Sequence, residues 1–374
     1  MKATVSGIEA ILVDLPTIRA HQLAMATMQQ QTLVIVRLRC SDGIEGIGEA
    51  TTIGGLSYGE ESPEGIKLAI DTYLAPALAG VDASNVHAAM ARLGKVARGN
   101  RFAKSALETA LLDAQAKRLG VPLATLLGGA VRPTLPALWT LASGDTGRDI
   151  EEAEGLLAQR RHNTFKLKIG RRSVRDDVAH VSAIKRALGD RARVTVDVNQ
   201  AWNEADAATG IAMLEAAGID LVEQPVPREN RRALARLAAR FVVPIMADEA
   251  VSGPEDAMEL ARLAGADVFA LKIAKSGGIF GMLRTAAVGD AAGIALYGGT
   301  MLEGSVGTIA AAHGFCTLPE LAWGTELFGP LLLKDDVVTQ RPVYREFDLH
   351  LPEGPGLGLT LDEDKLAFYR RDKA

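Results

Sequence analysis

Charged residues recur at a regular interval inside the apolar runs in the middle of the chain. The series consists of Lys168, Asp197, Glu223, Asp248 and Lys272. Each lies 24 to 29 residues after the previous one, and each interval holds a helix-like segment and a turn. This is the length of a βα unit, and the strands of a parallel βα barrel end around one mouth, where active sites form. The spacing therefore predicts a barrel with these five residues at its mouth.

The first of these apolar runs, at residues 165–170, carries two lysines two positions apart. Alternate residues of a strand point to the same face, so Lys166 and Lys168 would share one space. Repulsion between two ammonium groups favours the neutral form of one, and a lysine of lowered pKa can exchange protons near neutral pH. Alone, the run also fits an edge strand with a solvated cationic face. Several charges converging on one mouth favour the functional interpretation, because burying an unpaired charge is costly.

The three carboxylates of the series predict a metal site. Asp197, Glu223 and Asp248 come from successive strands, and oxygen ligands without cysteine or histidine select Mg²⁺ or Mn²⁺ over zinc. Such an ion can hold a substrate carboxylate and stabilise the enediolate formed when an α-carbon loses its proton. Asn199 should face the same way as Asp197. Glu249 should point elsewhere if its strand is still regular.

Composition limits the function classes. The 374 residues suffice for a barrel and roughly a hundred more, and 48% hydrophobic with 23% charged residues is typical of a globular protein. A net charge of −5 argues against nucleic acid as a partner. No apolar run reaches the ~18 residues of a membrane span. The absence of a signal-peptide pattern and the isolated Cys40 and Cys316 favour a reduced cytoplasmic protein.

The first 130 residues predict an N-terminal α+β domain. Residues 5–13 and 32–40 resemble strands, with Gly46-Ile47-Gly48 as a turn signal. The segments 21–28 and 51–59 are interpreted as surface loops or as a movable lid. Helices follow, one capped by Ser62 and Pro63 and another ending near Gly120.

The barrel is predicted over residues 131–330, beginning with a strand at 135–141 and closing with an eighth at 321–324. The helix candidates are 148–160, 174–188, 204–217, 229–240, 255–264, 279–292 and 304–316. A C-terminal segment, 331–374, is strand-like around 343–351 and should pack back on the N-terminal domain.

The sequence lacks the motifs of several other enzyme classes. Gly46-Ile47-Gly48 lacks the third glycine and the helix of a dinucleotide loop, and Ser305 lacks a nucleophile elbow. The six histidines, His21 among them, form no zinc pair and are interpreted as core or surface residues.

With these residues in place, the chain resembles the muconate-lactonizing subgroup of the enolase superfamily over nearly its whole length. The Lys166–Lys168 pair, the three carboxylates and Lys272 match its pattern, which dipeptide epimerases and o-succinylbenzoate synthases share. More specific runs resemble the members acting on muconate; they lie at 27–32, 52–56, 139–145, 297–303 and 324–330.

The resemblance implies a fold, a cofactor and an assembly. It implies an α+β capping domain over a (β/α)₇β barrel, a Mn²⁺ requirement with Mg²⁺ as the alternative, and a homo-octamer. The implied reaction interconverts the small dicarboxylate cis,cis-muconate with muconolactone in the catechol branch of the β-ketoadipate pathway.

The resemblance also implies roles for individual residues. Lys168 would protonate the substrate α-carbon, Lys166 would hold down its pKa, and Lys272 would favour the substrate anion from the opposite face. Glu326 would be a proton donor or hydrogen-bond partner at the eighth strand. Ile53 and Tyr58 would come from the capping loop to shape the pocket, with Asn199 as a further substrate contact.

Two alternatives stay open. A chloromuconate cycloisomerase is the nearer one, although Ile53, Tyr58 and Lys275 look like the ordinary muconate type. A metal-dependent binding protein that has lost catalysis is the other, and the intact lysines and carboxylates argue against it.

Overall fold

A long antiparallel hairpin opens the fold of the computed structural model, which describes residues 3–23 and 26–371. Strands β1 (Val5–Gln22) and β2 (Thr27–Cys40) pair along their length, and β3 (Glu45–Thr51) adds to β2. The predicted strands at 5–13 and 32–40 were too short. The loop predicted at 21–28 was wrong at 21–22 and 27–28, which belong to the strands, whereas Leu23 and Ala26 lie between them; residues 24 and 25 lie outside the described residues. A register shift between Pro16 and His21 lets pairing continue where hydrophobic alternation fails.

Helices cover one face of this sheet. They are α1 (Pro63–Ala69), a π-helical turn (Ile70–Leu74), α2 (Ala75–Leu78), α3 (Val86–Val96), α4 (Arg101–Leu119) and α5 (Leu123–Leu126). The Ser62 cap and the left-handed Gly120 end are confirmed. The turn predicted at Gly46-Ile47-Gly48 is wrong, since these residues lie within β3. A Cβ at either glycine would come within 2.0 Å of a backbone oxygen of α4, so glycine permits the sheet and helix to pack closely.

Seven parallel strands form the barrel sheet, each hydrogen-bonded to the next in chain order. They are β5 (Trp139–Leu141), β6 (Thr164–Lys168), β7 (Arg193–Asp197), β8 (Leu221–Glu223), β9 (Ile245–Ala247), β10 (Val268–Leu271) and β11 (Ala295–Gly298). The intervening helices are α6 (Thr146–Ala158), α7 (Val174–Leu188), α8 (Glu204–Ala216), α9 (Arg231–Arg240), α10 (Pro254–Leu263), α11 (Ile279–Ala291) and α12 (Ser305–Phe315). Every predicted barrel helix is confirmed to within two residues at each end.

The segment around Thr325 joins the two edges of this sheet. Thr325 forms parallel bridges to Ala137 and to Gly298, and the Glu326 N–H donates to the Gly298 carbonyl at 2.7 Å. The eighth strand predicted at 321–324 was therefore misplaced, because Gly324 turns the chain with φ of +65° and extended pairing begins only after it. This closure places Glu326 at the barrel mouth.

The C-terminal segment contacts both halves. After α13 (Gly329–Leu332), β12 (Val343–Arg345) and β13 (Asp348–His350) form a separate sheet with β4 (Thr134–Pro136), so the strand predicted at 135–141 is split between two sheets. The chain ends with α14 (Glu363–Tyr369), and the Arg371 N–H donates to the Leu12 carbonyl of β1. Across the described residues, no helix combines the length and apolarity needed to cross a membrane.

The N-terminal sheet holds the loop that follows β11. The Gln31 amide donates to the carbonyls of Met301 and Leu302, and the Glu49 carboxylate accepts from the N–H groups of Gly304 and Gly307. These four buried contacts anchor the hairpin domain over the barrel mouth.

Candidate active site

Lys166 is the central cation of the barrel mouth. It is fully buried on β6, and its Nζ lies 2.6 Å from Glu223 Oε2 and 2.8 Å from Glu326 Oε2. The ammonium also lies 4.9 Å from the centre of the Tyr297 ring, a cation–π distance. Burial lowers the pKa of Lys166, but the two carboxylates outweigh it and raise the pKa overall. Lys166 is therefore a fixed positive charge.

Lys168, at the end of β6, faces the next strand. Its register partner is Asp197 on β7, and its Nζ donates to Asp197 Oδ2 at 2.5 Å. Burial lowers the pKa of Lys168 and Lys166 adds to that effect, but the charges of Asp197 and Glu326 outweigh both and raise it. Lys166 thus lowers the pKa of Lys168 as predicted, but the net direction is upward, because the prediction left out the carboxylates around the pair.

A second group of cations surrounds Asp248, just past the end of β9. Lys272 donates to Asp248 Oδ2 and to the Tyr58 hydroxyl, each at 2.8 Å. Lys275 donates to Asp248 Oδ1 at 2.6 Å. Burial raises the pKa of Asp248, yet the two lysines reverse this and lower it strongly. Sequence spacing did not assign Lys275 to the site, because it lies in the loop after β10, beyond strand periodicity.

Asn199 and Glu249 meet beside Asp197. The Asn199 amide donates to Asp197 Oδ2 at 3.1 Å and to Glu249 Oε1 at 3.3 Å. Glu249 was expected to point elsewhere only if its strand stayed regular, and that condition is not met, since β9 ends at Ala247. Asn199 itself has φ of +44°, a left-handed conformation that non-glycine residues adopt rarely and often at functional sites.

Glu326 accepts from Lys166 and, at 3.4 Å, from the Thr140 hydroxyl. Burial raises the pKa of this carboxyl, but Lys166, Lys168 and Lys272 together lower it. An ionised Glu326 is a hydrogen-bond acceptor, so the geometry favours that part of its expected role over proton donation.

The donor chemistry at the three neighbouring strands fits a divalent cation. Asp197 is the register partner of Glu223, with Asp248 just beyond the next strand. Each of the three carboxylates forms an ion pair with a lysine. In this arrangement, the described ranges 3–23 and 26–371 hold no group of three His, Cys, Asp or Glu side chains close enough together to bind one metal ion. Both Glu223 oxygens are nevertheless buried without a hydrogen bond, and Oε2 makes only the ion-pair contact to Lys166. Burial, with the charge of Asp197, raises the pKa of Glu223 to about 8.

Charge balance supports the same conclusion. The lysines in these contacts are Lys166, Lys168, Lys272 and Lys275, and the carboxylates are Asp197, Glu223, Asp248 and Glu326. With all eight groups ionised their charges cancel, so a divalent cation would offset the two negative charges of an entering dicarboxylate. The cation would also favour the ionised form of Glu223, whose pKa burial raises.

Two cavities meet at Tyr58. The inner one has a volume of about 10 Å³, and its lining includes His21, Ile53, Tyr58, Lys168, Lys272 and Glu326. The outer groove, about 820 Å³, runs between the 58–61 and 99–102 segments and the loops after β8, β9 and β10. The inner volume holds about one water molecule. Access for a larger molecule therefore requires a wall such as Tyr58 to move.

Comparison with known proteins identifies relatives along the whole chain. Residues 7–128 match the mandelate racemase / muconate lactonizing enzyme N-terminal domain, and residues 148–365 match the enolase C-terminal domain-like family. Muconate cycloisomerase 1 of Pseudomonas putida is 62% identical, with 98% of each chain covered. A chloromuconate cycloisomerase of Cupriavidus pinatubonensis is 47% identical, over 98% of this chain and 99% of its own. A muconate lactonizing enzyme from Pseudomonas fluorescens, solved with muconolactone, superimposes with a TM-score of 0.98 at 61% identity, over 99% of this chain and 100% of that chain.

Proposed function

The chain belongs to the mandelate racemase / muconate lactonizing enzyme family of the enolase superfamily, and from this premise we propose how its barrel mouth catalyses muconate cycloisomerization. The protein is an enzyme, a cycloisomerase acting on a small molecule. The observation that carries this conclusion is the full-length identity of 55–62% to four muconate cycloisomerases, against 47% to the chloromuconate enzymes.

The reaction closes a ring and adds one proton. One carboxylate of cis,cis-muconate attacks the conjugated diene, which forms the C–O bond of a five-membered lactone. The displaced electron pair moves toward the other carboxylate as an enolate, and a proton adds to the α-carbon. The reverse reaction removes that proton and opens the ring.

Lys168 is the proposed proton donor to the α-carbon. It lies at the end of β6, is 9% exposed, and borders the inner cavity, whereas Lys166 is one pleat deeper and fully buried. Lys166 holds Glu223 and Glu326 in place and offsets charge that develops on the substrate. Lys272 and Lys275 hold Asp248 from the opposite wall, and Lys272 is the proposed electrostatic partner of the substrate anion.

Asp197, Glu223 and Asp248 are the proposed metal ligands. Members of the enolase superfamily use a divalent metal, and we assign Mn²⁺, with Mg²⁺ as the alternative, because the donors are hard carboxylate oxygens. When bound, such an ion stabilises negative charge on a substrate carboxylate. Asn199, which bridges Asp197 and Glu249, keeps this side of the cavity ordered and is a proposed substrate contact.

Ile53 and Tyr58 form the proposed lid. Ile53 is 6% exposed against the inner cavity, and the Tyr58 hydroxyl contacts both Asp248 and Lys272. The segment between Thr51 and Tyr58 includes Gly54 and Gly55, both with positive φ, which allow the backbone to change direction. Closure of this segment would separate the reaction from solvent.

The assay is the loss of diene ultraviolet absorption after addition of substrate and divalent ion. A dipeptide has no diene, so its epimerization is followed by optical rotation. With cis,cis-muconate, a chloromuconate and a dipeptide compared at equal concentration, we expect muconate to give the highest kcat/KM. Faster turnover of chloromuconate would favour the chloromuconate cycloisomerase alternative, and binding without turnover would favour a binding protein.

Further proposals concern the domain boundaries, the oligomeric state, the cellular location and the pathway. We assign a capping domain at 1–130, a barrel at 131–330 and a C-terminal segment at 331–374 that packs on the cap; the bond from Arg371 to Leu12 supports the last assignment. By likeness to the family we propose a cytoplasmic homo-octamer acting in the catechol branch of the β-ketoadipate pathway.

A further inference from the structure

His21 is a buried histidine without a polar partner. It lies at the end of β1, is 1% exposed, and neither ring nitrogen has a hydrogen bond within the described part of the chain. A buried polar group left unpaired costs free energy, and most buried polar groups in native proteins are paired. An exception beside a reaction cavity requires an explanation, and the ring borders the inner cavity.

The surroundings of the ring fix its position but satisfy neither nitrogen. His21 pairs with Met28 across the hairpin, just after the register shift that follows Pro16. Its ring centre lies 6.4 Å from that of Phe328, which in turn packs 5.1 Å from Trp139. The ring therefore has aromatic support on one side and the cavity beside it.

The ring is neutral at working pH. Burial, together with the charges of Arg19 and Lys168, lowers the pKa of His21 to about 3, although Glu326 opposes them. A neutral imidazole always carries one N–H donor. The ring lines the same cavity as Lys168, whose positive charge favours an anion there.

The other uncharged polar donors of the cavity are already engaged. The Tyr58 hydroxyl bonds to Asp248, the Thr300 hydroxyl bonds to Glu303, and the Asn199 amide bonds to Asp197 and Glu249. Among the described residues that line the cavity, His21 is thus the uncharged donor left without an acceptor.

We propose that His21 donates a hydrogen bond to the substrate carboxylate that becomes the lactone, which makes it a positioning residue for ring closure. The inference rests on the proposed function, in which the other carboxylate lies toward Asp197, Glu223 and Asp248. A six-carbon dicarboxylate then needs a partner for its second end, and the capping hairpin supplies it. The capping domain would then select substrates by the distance between their two carboxylates and would also exclude water.

Ligand pairs that differ in one carboxylate test this directly. Calorimetry on the Mn²⁺-loaded full chain would measure dissociation constants for adipate, a saturated six-carbon dicarboxylate, and for hexanoate, which has one carboxylate. We expect His21→Leu to raise the dissociation constant of adipate by about tenfold or more, which is the range for a hydrogen bond to a charged group. The dissociation constant of hexanoate should not change. His21→Gln, which keeps an N–H donor, should restore part of the loss and serves if the leucine variant does not fold.

A matched control is available in the same aromatic row. His162 is also buried and lies 5.5 Å from the Trp139 ring centre, but it does not line the inner cavity. His162→Leu should lower stability without changing the adipate to hexanoate ratio. With muconate, His21→Leu should raise KM more than it lowers kcat.

The outcomes separate this inference from the proposed function. The role of His21 would be overturned if His21→Leu weakened the binding of adipate and hexanoate equally, so that the ratio of their dissociation constants did not change. It would also be overturned if the parent protein did not bind adipate more tightly than hexanoate. If the parent does not convert muconate but His21 still sets the preference for adipate, the proposed reaction fails while the carboxylate subsite stands.

Discussion

Replacing Lys166 by methionine tests whether the buried cation holds the barrel mouth together. The substitution keeps the volume but leaves Glu223 and Glu326, whose oxygens lie 2.6 and 2.8 Å from the Lys166 Nζ, without their shared counter-charge. All three side chains are at most 5% exposed, so solvent compensates little. Removing one partner of a buried ion pair costs about 3–5 kcal/mol.

The expected shift in melting temperature follows from chain size. An unfolding entropy of about 2.1 cal/mol/K per residue gives roughly 0.8 kcal/mol per kelvin for 374 residues. Lys166→Met should therefore lower Tm by about 4–6 °C, measured by calorimetry in excess chelator so that no metal replaces the lost charge. Lys365→Met, which breaks the partly exposed 2.9 Å pair with Asp335, is the control and should cost under about 1 kcal/mol.

A double variant isolates the interaction itself. Adding Glu223→Gln to Lys166→Met removes one of the stranded carboxylates, so the combined loss should be at least about 1 kcal/mol smaller than the sum of the single losses. Additive losses, or a single loss no larger than that of the Lys365 control, would refute the reasoning.

Three further predictions concern the metal, the lid and pH. Chelation and Glu223→Gln should each abolish turnover while circular dichroism stays native, because the ligands sit at strand ends; full activity in chelator with metal shown to be absent would contradict the assignment. Tyr58→Ala should change KM and the preference between muconate and chloromuconate more than Tm, whereas a sharp fall in Tm with unchanged kinetics would make Tyr58 a packing residue. Burial lowers the pKa of His162 from 6.5 to about 4, although its hydrogen bond to Ala137 opposes this. Between pH 6.5 and 4 the unfolded state therefore binds a proton at His162 that the folded state does not. The free energy of unfolding includes the full contribution of neutral His162 above pH 6.5, and this contribution is lost as the pH falls to 4. His162→Gln should remove that acid-side loss in denaturant titrations across this range, and an unchanged pH slope would count against it.

The barrel could be predicted from sequence because its signals are local. The spacing from Lys168 to Lys272 follows from the length of one βα unit. In the capping domain, Ser62 and Gly120 mark helix ends in the same local way. Pairings between distant segments have no such signal. The hairpin extension to Gln22 and the closure at Thr325 depend on partners far along the chain.

The same distinction between local signals and contacts with distant segments applies to the active site. Strand alternation correctly oriented Lys166 and Lys168 toward the mouth. It stops where a strand stops, so it did not place Glu249 or Lys275 at the site. The pKa of Lys168 could not be obtained from Lys166 alone, since Asp197 and Glu326 determine its direction. His21 was interpreted as an ordinary core or surface histidine, because only the folded hairpin reveals that its nitrogens have no partner.

The most direct test of the central claim is deuterium incorporation during lactone formation in heavy water. If Lys168 alone serves the α-carbon, muconolactone should carry deuterium at one α-position with one configuration. Lys168→Ala should lose lactone formation and α-proton exchange together, by roughly 10²–10⁴-fold or more. Deuterium on both faces would show that Lys272 acts as a second acid–base group, and undiminished exchange in Lys168→Ala would contradict the account.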